Sequence, residues 1–144
     1  MLRVLAALAA LAVGASAVLA QNAQVIAQRK EAMKALGSAA KGPGSMAKGD
    51  APFNAETVKA SLQTVVDTAG KVKNLFPDDS QTGDTDALPV AFEKKADVMA
   101  RFDKLSADAK AAAAVGDHLR PLRLERGFVR DCRGGCHKEY RKPK

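Results

Sequence analysis

Tryptophan is absent from this chain of 144 residues, which has one tyrosine, five phenylalanines, two histidines and two cysteines. So few aromatic rings leave no platform on which nucleic-acid bases could stack. Two cysteines cannot by themselves supply the four ligands of a structural zinc site. No segment alternates apolar and polar residues with a period of two, so no sheet is expected. The strongly apolar run from Val4 to Val13 is shorter than the roughly 20 residues that a membrane span needs.

That run has another use. Met1-Leu2-Arg3 is a short basic start, and the small residues Gly14-Ala15-Ser16-Ala17 lead to Ala20. A basic start, an apolar stretch and a small-residue end form a secretory signal peptide. Residues 1–20 are therefore expected to be removed, leaving a single domain over 21–144. An exported chain meets oxidising conditions, where two idle cysteines become oxidised unless other chemistry uses them. The formal charge is +7, one unit of it from Arg3. A basic secreted protein suits acidic protein partners or anionic cofactors, and nucleic acid is not an expected partner there.

Glycine and proline divide the rest into four helical stretches. The first runs from about Gln24 to Ala40, with Val25, Ile26, Ala32, Met33, Leu36 and Ala40 on one side. Lys41-Gly42-Pro43-Gly44 breaks it, and a loop reaches Pro52. Asn54 caps the second, whose stripe is Val58, Leu62, Val65, Val66, Ala69, Val72 and Phe76 before Pro77 stops it. An acidic loop spans Asp78 to Leu88. The third stretch runs from Pro89 to Ala114, with Phe92, Ala96, Met99, Phe102, Ala109 and Ala113 inward. Gly116 ends it, and Asp117 caps a fourth that tolerates Pro121 in its first turn. Leu122, Val129, Cys132, Cys136 and Tyr140 share a face of that last stretch. The expected fold is all-α: an antiparallel up-down-up-down four-helix bundle.

Cys132-Arg133-Gly134-Gly135-Cys136-His137 carries the chemistry. Covalent haem attachment needs two thiols and an adjacent histidine to ligate iron, usually spaced Cys-x-x-Cys-His. Here three residues separate the cysteines. One added residue turns His137 by about 100° relative to Cys132 on a regular helix. A single-turn bulge absorbs such an insertion, and Gly134 and Gly135 supply the backbone freedom for it. A disulfide would explain the cysteines but leave His137 and the glycines as accidents. A copper carrier would need scattered ligands. One covalent haem c accounts for all of these residues.

With that motif, the ending Cys136-His137-Lys138-Glu139-Tyr140-Arg141 resembles the class II c-type cytochromes, the cytochrome c′ family. Further points of likeness are Arg29 with Met33 four residues on, Ala51-Pro52-Phe53, Leu75-Phe76-Pro77 and Gly116-Asp117. The likeness spans essentially the whole of 21–144. It departs at the extra residue of the haem motif and at Phe92, where relatives often have tryptophan, a change of packing.

The resemblance implies a haem held between helices near one end of the bundle, bound covalently by Cys132 and Cys136, with His137 as proximal ligand. It makes Met33 the distal residue. A ligating methionine gives a low-spin electron carrier, whereas an open distal site gives a high-spin protein that binds nitric oxide or carbon monoxide. Core filling is the ordinary use of methionine, and from the residues alone that reading of Met33 stands beside ligation. Arg29 lies on the apolar stripe, where a cation is costly unless it meets an anion. Haem propionates are such anions; a stem that snorkels to the bundle edge is the other reading. Met99 looks like core, Met46 lies in a loop, and His118 reads as a solvated first-turn residue.

The expected protein is thus a periplasmic monohaem electron carrier, not an enzyme and not membrane-spanning. Basic residues near the motif (Arg130, Arg133, Lys138, Arg141, Lys142, Lys144) either steer an acidic redox partner or form an ordinary solvated face. Helix-pair dimers occur in the family, which adds a homodimer to the expected partners.

Overall fold

The structure, a computed structural model, describes residues 2–114 and 134–143. Helix α1 runs from Leu2 to Ala39, α2 from Lys41 to Lys48 and α3 from Ala55 to Val72. After a 3-10 turn at Asp78–Ser80 come α4 (Val90–Glu93), α5 (Lys95–Ala114) and α6 (His137–Tyr140). Among the described residues the only extended pairing is a single bridge between Ala87 and Arg141. Among them, too, no helix is long and apolar enough to cross a membrane. The expected fourth helix from Asp117, with Pro121, Leu122, Val129 and Cys132, lies outside the described residues, as does His118.

Helix α3 is the centre of the assembly, packed against α1 on one side and α5 on the other. Its stripe Val58, Leu62, Val65, Ala69 and Val72 is fully buried, as a 3.6-residue repeat directs. Asn54 caps it as expected, its side chain accepting from the Thr57 amide at 2.8 Å. Arg29 of α1 bonds the carbonyl of Leu75 just past the end of α3, while Gly42, just after α1, lies against Thr57 at the start of α3. The two helices are therefore antiparallel.

Three expectations need correction. Helix α1 continues from the Ala- and Leu-rich leader without a break, whereas the sequence starts it near Gln24; such residues are the best helix formers. The segment after Ala40 is helix α2 rather than loop. Pro43 lies in its first turn, where a missing N–H costs nothing, and Gly49 closes it at φ +83 with its N–H on Met46. Gly42 allows α2 to approach α3, since a Cβ there would stand 3.2 Å from the Thr57 methyl.

The third correction concerns phase. Lys94, at φ −100 and ψ 37, interrupts the stretch from Pro89. The inward residues of α5 are consequently Val98, Phe102 and Ala109, flanked by half-buried Leu105 and Ala112. Ala96 and Ala113 are exposed. Phe92, Met99, Phe102 and Ala109 turn inward as expected, and only Ala96 and Ala113 do not, with Val98 taking the inward place at the start of α5.

Candidate haem site

The end of the bundle that holds Cys136 and His137 is organised by polar contacts. Residues 134–136 form one π-helical turn leading into α6, the local widening that an added residue between the cysteines demands. Cys136 is half-buried against the core, and burial pushes its thiol above the ordinary 9.0. Arg101 opposes this, and Asp97 and Glu139 push the same way as burial. His137 is half-buried. Cys132 lies outside the described residues.

Helix α6 is pinned to the start of α5. Tyr140, the only tyrosine, is buried and donates its hydroxyl to Asp97. Arg101 spans both carboxylates of the cluster, at 2.7 Å to Asp97 and 2.8 Å to Glu139, with its guanidinium 5.2 Å from the Tyr140 ring centre. Lys94 adds a 3.0 Å bond to Glu139. The Asp97 carboxyl is held below its ordinary value, first by the Tyr140 hydroxyl and then by Arg101. The Tyr140 hydroxyl is pushed well above its own, by burial and then by Asp97.

Arg29 occupies the same end, from α1, and is 4% exposed. Its four terminal N–H groups find neutral acceptors: the Leu75 carbonyl at 2.8 Å, the Ser80 hydroxyl and carbonyl at 3.1 Å each, and the Thr85 hydroxyl at 2.9 Å. The Phe76 and Phe92 rings lie 4.9 and 5.3 Å from the guanidinium, so Phe92 provides a cation–π surface as well as packing. Burial lowers the Arg29 pKa from 12.5, yet an arginine stays charged at any working pH. The side chain neither snorkels to the edge nor stands alone in apolar surroundings. Its terminal N–H groups are met by acceptors of the loop.

Met33 is half-buried one helical turn beyond Arg29, packed against the core cluster together with Ala32, Met46, Met99 and Cys136. Half-open apolar side chains and a thiol at the margin of one core, with a histidine next to that thiol in sequence, suit a flat, largely apolar macrocycle, and the residues present fit haem. The sequence does not single out Thr85, Ser80, Asp97 or Arg101. The i,i+4 pairing of Asp97 with Arg101 and the solitary tyrosine were the available signals for part of this set.

A helical bundle closed by a half-buried Cys-His turn is built as a c-type cytochrome of the bundle kind. The profile of the family described as Cytochrome C' matches residues 24–141, and the chain belongs to that family. It is a monohaem cytochrome whose cofactor is one covalently bound haem c. A cytochrome c' of Rhodopseudomonas palustris is 38% identical over 96 residues, which cover 66% of each protein. A cytochrome c-556 of Agrobacterium tumefaciens is 34% identical over 64% of this chain and 75% of its own length.

The solved structure of Rhodopseudomonas palustris cytochrome c' superposes with a TM-score of 0.76 at 40% identity, over 83% of this chain and 97% of that one. Cytochrome c prime from Shewanella frigidimarina gives 0.75 at 26% identity, over 85% and 97%. The four-helix bundle expected from the sequence is the fold of these neighbours.

Proposed function

We propose that this protein carries single electrons in the periplasm, after removal of residues 1–20, and catalyses no reaction of its own. Cys132 and Cys136 hold the haem as thioethers, His137 is the proximal ligand and Met33 the distal one. The observation that carries the reading is the place of Met33: half-buried at the core margin, one turn past a buried Arg29 that fixes α1 at this height. Met46 and Met99 are equally half-buried, but neither lies on the helix that provides the distal residue in the family. When bound, haem c supplies a one-electron couple, and a His/Met ligand pair raises its potential. The chain's own part is to hold the two side chains still through both oxidation states and to keep water out with apolar neighbours.

Surface charge supports an acidic redox partner only modestly. Lys138 is exposed, whereas Arg141 pairs with Asp86 at 3.6 Å and Lys142 bonds the Thr85 carbonyl at 2.7 Å. A homodimer is a further proposal within this reading. The likeness to a cytochrome c', 38% identical beside 34% and 37% for two cytochromes c-556, supports as second reading a high-spin protein that binds nitric oxide or carbon monoxide.

Optical spectra separate the two. The oxidised wild type is expected to be low-spin, with the weak far-red sulfur-to-iron band, and reduced protein to bind carbon monoxide slowly because Met33 must be displaced. Met33→Leu is expected to give a high-spin form that binds the gas readily. Apart from the lost iron bond it costs less than about 1.5 kcal/mol, the two side chains being close in volume. A wild type already high-spin moves the gas-binding reading ahead. Replacing Cys132 and Cys136 together by Ala is expected to remove the haem mass that otherwise survives acid-acetone extraction.

A further inference from the structure

The loop between α3 and α4 contributes no ligand, yet it bonds both elements that do. On one side it receives Arg29 from α1, at Leu75, Ser80 and Thr85. On the other it meets the segment that follows His137. The Leu88 amide donates to the Tyr140 carbonyl at 2.9 Å, and the Lys142 amide donates to the Asp86 carbonyl at 2.8 Å. Thr85 stands between the two sides and is 6% exposed. Its hydroxyl accepts from Arg29 and, at 3.1 Å, from the Ala87 amide, and its carbonyl accepts from Lys142 Nζ at 2.7 Å.

We propose that Arg29, Thr85 and Lys142 form a strut that sets the separation between the α1 turn carrying Met33 and the closing turn carrying His137, with Thr85 as its positioning residue. The proposal rests on the ligand assignment made above. Apolar packing on α1 fixes which face turns inward but tolerates small sliding, because such contacts are not directional. Four directed hydrogen bonds from one guanidinium into a loop fix rise and rotation together, since each weakens steeply with misalignment. Arg29 is one turn before Met33, about 6 Å along the axis, so a slip at Arg29 is passed on to Met33. Lys142 lies at the other end of the strut, in the segment after α6. Removing the Thr85 hydroxyl leaves one Arg29 donor and the Ala87 amide without a partner at the middle of that connection.

The test compares Thr85→Val, which keeps the shape but not the hydroxyl, with Thr85→Ser, which keeps the hydroxyl, in haem-loaded protein. The readouts are the low-spin fraction from the absorption spectrum, the rate of carbon monoxide binding and the Tm. Thr85→Val is expected to lower the low-spin fraction and speed carbon monoxide binding about tenfold, the factor that one misplaced buried hydrogen bond is worth. Thr85→Ser is expected to restore wild-type values, and Lys142→Met to give a smaller change in the same direction. A Thr85→Val protein with lower Tm but wild-type spectrum and gas-binding rate overturns the proposal.

If Thr85→Val fails to accumulate with haem, Lys142→Met carries the test, and an unchanged gas-binding rate there overturns it. Failure of the ligand assignment has its own signature, a high-spin wild type indifferent to Met33→Leu. A carbon monoxide rate unchanged by Thr85→Val in that protein still overturns the strut.

Discussion

The two ends of the α1–α3 contact are held by different means. Along the middle of α3, Val58, Leu62, Val65, Ala69 and Val72 are buried, and Thr68 is the one polar residue of that helix buried with them. At the Arg29 end, Phe76 and Phe92 are buried too, but beside them lie the buried polar groups of Arg29, Ser80, Thr85 and Tyr140, and each of these has a hydrogen-bond partner. Apolar burial provides most of the stability of a fold and says little about position within an ångström. Directed bonds add less net free energy, because the unfolded chain makes them to water, but they specify where an element sits. Bulk and placement are thus supplied largely by separate parts of the molecule, and placement is concentrated at the end that holds Cys136 and His137.

That division ranks the effects of mutation. Leu62→Ala, in the apolar middle, should be the most damaging to the fold, by about 3–4 kcal/mol for a fully buried leucine. Denaturant unfolding checks it, and the spectrum of the surviving folded protein should stay that of wild type. Arg29→Met should cost less, about 2–3 kcal/mol, through acceptors left without a donor, but should alter the spectrum of the folded fraction. If Leu62→Ala perturbs the spectrum and Arg29→Met does not, the separation of bulk from placement is wrong.

Tyr140→Phe should have the smallest effect on the fold, about 1 kcal/mol for one buried hydroxyl, and it sharpens the comparison through pH. The Asp97 carboxyl is depressed below 3.8 in the folded chain, so its contribution is complete above that value and is lost as pH falls through the depressed one. The Tyr140 hydroxyl is raised above 10.0, so its contribution is present below pH 10 and lost as pH rises beyond. Acid and alkaline unfolding curves should both become shallower in Tyr140→Phe. Leu62→Ala should shift stability equally at every pH. With one tyrosine in the chain, tyrosinate absorbance reads the alkaline limb directly.

The sequence disclosed what is local and concealed what is distant. Cys136 and His137 stand out because an attachment motif is made of neighbouring residues, and the π-helical turn at 134–136 was legible because an insertion needs somewhere to go. The stripe of α3 and its Asn54 cap follow from spacing within a few residues. Arg29 was legible as a cation out of place on an apolar stripe, but its partners were not. Leu75 and Thr85 lie 46 and 56 positions away, and no periodicity encodes a hydrogen bond to a loop carbonyl. On α5, Met99, Phe102 and Ala109 were placed correctly, whereas Val98 was missed and Ala96 misplaced near the break at Lys94, which carries no sequence mark. Helix α2 was misread because Gly and Pro punctuate loops more often than they open helices.

The bonds between the chain's last residues and the mid-chain loop also impose an order in time. Lys142 and Thr85 are 57 positions apart, and so wide a loop closes at an entropic cost that local contacts do not bear. Contacts of that separation form late in folding, after helices whose partners are near in sequence. While a chain is being delivered from its N-terminus, α1, α2 and α3 can dock before residue 142 arrives, and the loop then waits with one side open. Cys136 and His137 arrive only six and five residues ahead of the lysine that completes the closure. The contacts of Lys142 with Thr85 and Asp86 therefore close only after Cys136 and His137 have been presented.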